Sequence, residues 1–255
     1  MKISKAKKFK KNSDIIKFYN ENGWISLKNY IKKEEMVSIQ KDLDNFYFLH
    51  TKKRCLNAMV YLNKNNKKLL HKLHTVSKKI NSIKKLVNKL SEFQKILFNK
   101  NTTVLEIYVG YMISLPKDKR LVYNFHQESN YMKNFKDILN IHFPIFHQSN
   151  VGNGTMSVLS KTHKLGNLNY AKKRYSNNSV TDLIPSGIEQ IKEKYEEVVL
   201  ELNVGDVVYF HQNLIHKSNF NYSNACRPVG IGRFTNSFGN FKTFGNFKAL
   251  TPQEF

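Results

Sequence analysis

The sequence predicts a mainly β fold with a helical flank, and two observations carry that expectation. From about residue 102 onward, short β-branched or aromatic runs recur: Val104–Ser114, Val122–Phe125, Ile138–Phe146, Thr155–Leu159, Val198–Leu202, Asp206–Phe210 and Val229–Phe234. Turn signals separate them at Pro116-Lys117-Asp118, Gly152-Asn153-Gly154 and Asn203-Val204-Gly205-Asp206. Many short strands at even spacing are the pattern of a sandwich or barrel. In contrast, residues 64–100 carry Leu69, Leu70, Leu73, Val76, Ile80, Ile83, Leu86, Leu90, Phe93 and Ile96 at three- and four-residue steps, with no Gly or Pro. That is the period of amphipathic helices packed on a sheet by one face.

The elements follow in order. A basic lead, MKISKAKKFKKN, precedes a helix that Ser13 is placed to cap and Asn22-Gly23 to end. Trp24-Ile25-Ser26-Leu27 reads as a short strand, and Lys33 to Phe48 returns to helical spacing through Met36, Ile39, Leu43 and Phe46. Residues 166–194 are polar and irregular, with a helix expected at Ile188–Tyr195, and read as a lid-like insertion. The division expected is one domain over residues 1–255: a helical support over 1–100, then a β core over 102–255.

Composition excludes several classes. With 40% apolar and 13% aromatic residues the chain can build a core, so disorder throughout is excluded. No stretch approaches the ~20 apolar residues that span a bilayer. The basic lead runs into no apolar signal core, and two distant cysteines, Cys55 and Cys226, make no disulfide framework. A reducing cytoplasm is the expected compartment. The net charge of +23 (42 Lys+Arg less 19 Asp+Glu) is nearly all lysine, spread among abundant Asn, Ile, Tyr and Phe. Compositional drift and a surface for an anionic partner both account for it. The few arginines, Arg227 and Arg233 among them, ask for a specific reason.

The chemistry concentrates in one constellation. His126-Gln127-Glu128 follows a strand-like run, and on extended backbone residues i and i+2 share a face. His216 follows the Val207–Phe210 run. Two imidazoles and one carboxylate cap one face of an octahedral iron(II) and leave the other positions open. Ser218 shares the face of His216, and Arg227 comes 11 residues after that histidine. The Asn219–Asn224 segment looks like a hairpin turn that returns Arg227 beside the same pocket. A guanidinium with a hydroxyl beside it suits one end of a dicarboxylate whose other end chelates the metal.

These segments resemble the phytanoyl-CoA dioxygenase family of iron(II)- and 2-oxoglutarate-dependent oxygenases. Phe18–Ile25 resembles the family's opening helix and first strand, and Phe125-His126-Gln127-Glu128 its metal motif. Asn153–Val158 with Ser160–Gly166, and Gly205–Phe210 followed by His216, Ser218 and Arg227, resemble its later motifs. The matches leave out roughly residues 50–100. The resemblance implies a double-stranded β-helix, a cupin-like jelly-roll, with N-terminal and inserted helices packed on one sheet. It implies iron(II) on His126, Glu128 and His216, and 2-oxoglutarate as co-substrate on Arg227 and Ser218, with Tyr111 on the preceding strand within reach. The implied reaction is hydroxylation of a small molecule, with succinate and CO2 as co-products. The family usually has Asp where this chain has Glu128.

Other residues carry plainer expectations. His163 is read as a structural loop residue, and Tyr108 and Tyr111 as either core aromatics or co-substrate contacts. His142 and His147, five apart on one strand, face opposite ways. His71 and His74 lack further zinc ligands. The lysine- and asparagine-rich loops at Ser129–Lys136 and Gly166–Ser186 point to a polar or anionic substrate. A nucleic-acid demethylase of the same superfamily and a non-catalytic jelly-roll binding an anionic partner are the alternatives.

Overall fold

The computed structural model describes residues 2–98, 105–133, 135–174, 181–235 and 237–238. Val104 of the first long predicted strand and residues 175–180 of the predicted insertion lie outside them. The chain opens with β1 (Lys2–Lys5), α1 (Asn12–Asn22), β2 (Trp24–Leu27) and α2 (Lys33–Thr51). The helical zone is a series of four: α3 (Cys55–Asn65), α4 (Lys67–Ser77), α5 (Asn81–Ser91) and α6 (Phe93–Phe98). There follow β3 (Leu105–Ser114), the single turn α7 (Glu128–Tyr131), β4 (Phe135–Lys136), β5 (Leu139–Pro144) and β6 (Met156–Leu159). β7 (Tyr170–Arg174), β8 (Thr181–Pro185) and α8 (Ile188–Lys194) come next. β9 (Glu197–Glu201), β10 (Val207–His211), β11 (His216–Ser218), β12 (Arg227–Thr235) and β13 (Ser237–Phe238) complete the described chain.

Two sheets face each other. One has the order β2-β10-β5-β12-β3, the other β1-β9-β6-β11. This is the jelly-roll expected, with the helices on the outer face of the five-stranded sheet. Both faces of that sheet are covered, so apolar residues on its strands serve two cores, one on each side. On β10, Val207 and Tyr209 join the core under the helices, with Ile39, Leu43, Ile83 and Phe93. Val208 and Phe210 join the core between the sheets, with Trp24, Met156, Val158, Val198 and Leu200. The neighbouring strand β5 leaves Gly230 no room for a side chain. A Cβ there would overlap the Phe143 ring.

Several local expectations need correction. α1 does end on Gly23, whose left-handed φ of 79° lets its N–H reach the Tyr19 carbonyl. Ser13, however, lies inside the helix, and the cap position is Lys11. Val122–Phe125 is not a strand; the chain there is irregular and meets β11 through the bridge between His126 and His216 and through the Ser218 N–H, which donates to Tyr123 O at 2.9 Å. β11 and β12 do not form a hairpin: β11 pairs with β6, and β12 with β3 and β5. The turn between them carries the chain from one sheet to the other. The 166–194 segment contains an antiparallel β7–β8 hairpin and α8. Among the described residues no helix is long and apolar enough to cross a membrane. Cys55 and Cys226 are free and buried.

Candidate metal centre

The bridge between the sheets builds the centre. His126 and His216 exchange backbone N–H···O bonds of 2.9 and 3.0 Å, which sets their rings 4.2 Å apart between centroids. Each imidazole turns Nδ1 to the carbonyl two residues before it, Asn124 O at 2.7 Å and Leu214 O at 2.9 Å. A carbonyl only accepts, so Nδ1 carries the proton and Nε2 keeps its lone pair. Burial holds both imidazoles below their ordinary pKa and keeps them neutral, the form that ligates a metal.

Glu128 opens α7 directly after extended Gln127, so its carboxylate comes back toward the two rings. Its Oε2 lies 3.8 Å from His216 Nε2. One ligand atom from each of His126, Glu128 and His216 falls within 4.8 Å of the others, and all three residues are buried. The other oxygen, Oε1, is 2.6 Å from Arg233 Nε, a charge contact in which the N–H is not aligned on the oxygen. The extra methylene of Glu relative to Asp is thus accommodated with one oxygen turned inward and the other held aside. Neutral imidazoles and a single inward carboxylate oxygen fit iron(II).

Arg227 is 4% exposed, at the start of β12. Its Nε donates to Asn153 O at 2.9 Å, Nη1 to Ser149 Oγ at 3.2 Å, and Nη2 to Gly154 O. Three of five N–H groups are used, which leaves two. No carboxylate pairs with it among the described residues, and burial alone pulls its pKa down to about 10. A buried cation without a counter-ion is costly and fits a site that receives an anion. Ser218, half-buried on β11, pairs across the sheet with Met156.

Tyr111 is placed elsewhere. It is fully buried, and its hydroxyl bonds to Tyr47 and Ser77 in the core under the helices. On β3 it sits opposite Gly230, whereas Tyr108 sits opposite Arg233. Residues three apart on a strand face opposite sides, so Tyr108 is the tyrosine that faces inward. Tyr111 is therefore removed from the co-substrate contacts.

Three further residues belong to the site. His142, across β5 from Ile231 and Val208, points between the sheets with Nε2 unpartnered. It stands close enough to Arg227 and His216 for their charges to interact with it, and burial drives its pKa to about 3. Asp182, on β8, is fully buried and accepts from the Asn124 N–H at 3.3 Å and from Asn124 Nδ2 at 2.6 Å. The Asn124 carbonyl in turn holds His126 Nδ1. Gln127, also fully buried, donates to Gly166 O and Asn213 O at 2.8 and 2.7 Å and accepts from Leu168 N at 2.9 Å. Tyr131 Oη adds contacts to Thr181 O and Leu183 N. The inserted hairpin and the loop before it thus clamp the segment that carries His126 and Glu128. His163 is structural, with Nε2 3.1 Å from Asn20 O.

The fold and this site define a jelly-roll with a two-histidine, one-carboxylate centre, the arrangement of iron-dependent oxygenases. A family model for phytanoyl-CoA dioxygenase matches residues 19–229, and the chain belongs to that family of iron(II)- and 2-oxoglutarate-dependent oxygenases. Solved structures share the fold at low identity. The epimerase SnoN, in complex with Fe3+, alpha ketoglutarate and nogalamycin RO, aligns with a TM-score of 0.62 and 10% identity over 88% of this chain and 83% of that one. EctD from S. alaskensis, with 2-oxoglutarate and 5-hydroxyectoine, gives 0.60 and 12% over 92% and 81%. The carbocyclase SnoK from nogalamycin biosynthesis gives 0.57 and 14% over 88% and 83%. No curated protein sequence matches the chain at a significant level.

Proposed function

We propose that His126 Nε2, Glu128 Oε2 and His216 Nε2 hold iron(II), that Arg227 anchors the distal carboxylate of 2-oxoglutarate, and that the centre hydroxylates a C–H bond of a small-molecule substrate. The observation that carries this is the convergence of three buried ligand atoms within 4.8 Å of one another. Bound iron(II) supplies the redox chemistry that couples decarboxylation of 2-oxoglutarate, to succinate and CO2, with oxidation of the substrate.

The chain's own work is orientation. The carbonyls of Asn124 and Leu214 fix both histidine tautomers. The two unused N–H groups of Arg227 offer a carboxylate a paired contact, and the Ser218 hydroxyl is a further donor. His142, which points between the sheets with Nε2 unpartnered among the described residues, is a third polar group for the co-substrate. Phe210, 4.8 Å from the His216 ring, and Tyr123 and Tyr131, 5.4 and 5.6 Å from His126, wall the centre with aromatic surface.

The test is succinate formation from 2-oxoglutarate with added iron(II), even without primary substrate. Wild type is expected to turn over slowly, and His126→Ala and Arg227→Ala to fall to the background. Equal turnover in all three would refute the assignment.

A further inference from the structure

Beside the carboxylate ligand lies a group of side chains that only partly serves the metal centre, through the contact of Arg233 with Glu128. Tyr108, inward on β3, has the Arg233 guanidinium 5.4 Å from its ring centroid. The same ring has the Lys78 ammonium 5.9 Å from its centroid. Lys78 closes α4, and its half-buried side chain runs over β3 at Gly110. A Cβ on Gly110 would sit 3.0 Å from the Tyr108 hydroxyl and 3.4 Å from Lys78 Cβ and Cγ. The absence of a side chain there makes room for both. The cationic pair and the phenol therefore come together from α4, β3 and β12, with Arg233 touching Glu128.

The charges do not balance locally. Arg233 meets Glu128 Oε1 with Nε at 2.6 Å, and no hydrogen bond of its two terminal nitrogens is found among the described residues. Lys78 has no acidic partner among them; the groups that act on it are its own burial and the Arg233 charge, and both lower its pKa. Two cations that share one aromatic ring, 5.4 and 5.9 Å from its centroid and partly out of water, with one carboxylate already committed to the metal, favour a further anion.

We propose that Lys78, Tyr108 and Arg233 form a subsite for an oxyanion of the primary substrate, a carboxylate or a phosphate. This rests on the metal-centre reading above. The terminal guanidinium nitrogens supply a planar fork, Lys78 a point charge, and the Tyr108 hydroxyl a neutral donor. The subsite borders Glu128 Oε1, so a substrate anchored there presents its neighbouring carbon atoms to the centre.

The experiment uses protein loaded with Mn(II) and saturating 2-oxoglutarate. Inorganic phosphate and acetate are the probes. The paramagnetic ion shortens the relaxation of a nearby bound probe, read by phosphorus NMR for phosphate and at the methyl protons of acetate. The expected result is a saturable enhancement for at least one probe, and the stronger effect names the group. Lys78→Met and Gly110→Val should each weaken it by on the order of fivefold, while Lys78→Arg retains it. The affinity for 2-oxoglutarate should stay within about twofold in the Lys78 variants. No enhancement in wild type, or the same enhancement in Lys78→Met, overturns the subsite. Loss of 2-oxoglutarate affinity in Lys78→Met overturns it too, by assigning the cation to the co-substrate. Failure of wild type to bind Mn(II) would instead overturn the metal-centre reading from which the subsite follows.

Discussion

Gln127 stands between two proposed ligands, and replacing it tests whether the inserted segment holds them in place. Its side-chain amide makes three hydrogen bonds, to Gly166 O, Asn213 O and Leu168 N, at 2.7–2.9 Å. Gln127→Leu keeps nearly the same volume and removes all three. A typical hydrogen bond contributes about 1 kcal/mol net, so the loss is about 3 kcal/mol. For a chain of this size that is a fall of roughly 6–12 °C in Tm. The same change frees the backbone between His126 and Glu128, so iron(II) affinity should drop by on the order of tenfold, as for partners that orient metal ligands elsewhere. Gln127→Glu sets a carboxylate against two carbonyl oxygens and should be at least as damaging. Thermal unfolding by circular dichroism and calorimetric metal titration read the two effects. A Tm change below about 2 °C with unchanged metal affinity would refute the clamp.

Three further outcomes follow from the same geometry. Arg227→Lys replaces a planar fork with one ammonium; 2-oxoglutarate affinity, measured by calorimetry, should fall on the order of 100-fold, while iron(II) affinity alone changes little. Gly230→Ala forces a Cβ into the Phe143 ring and should cost about 1–3 kcal/mol in urea unfolding, partly restored by Phe143→Leu in the same chain. His74 is buried with its pKa lowered to about 3, by desolvation first and the Lys78 charge second. The folded state then binds fewer protons than the unfolded state, whose histidine titrates near 6.5. The stabilisation is complete above pH 6.5 and is lost as pH falls toward 3, at about 1.4 kcal/mol per pH unit. His74→Gln should reduce the pH dependence of denaturant midpoints between pH 6.5 and 4 by about that slope.

Much of the fold was legible because β5, β10 and β12 are largely buried and show up as short runs rich in β-branched and aromatic residues. The motif spacing was legible because His126 and Glu128 are near neighbours and both flank recognisable turns. β1 was not, since Lys2-Ile3-Ser4-Lys5 is an exposed edge strand with one apolar residue, placed by its parallel pairing to β9. The β11–β12 connection looked like a hairpin because Asn- and Ser-rich turns do not reveal whether the chain stays in one sheet. Tyr108 and Tyr111 could not be told apart without a register; pairing with β12 places Tyr108 on the inner face and Tyr111 on the other. Asp182 and Arg233 act on His126 and Glu128 from 56 and 105 residues away, and no local pattern marks such partners.

The most direct measurement is an anaerobic calorimetric titration of wild type and His216→Ala with iron(II), with and without 2-oxoglutarate. One iron per chain in wild type, tightened by 2-oxoglutarate and absent in His216→Ala, is the predicted result. Binding that ignores the substitution, or no binding at all, would contradict the assignment of His126, Glu128 and His216 as the metal centre.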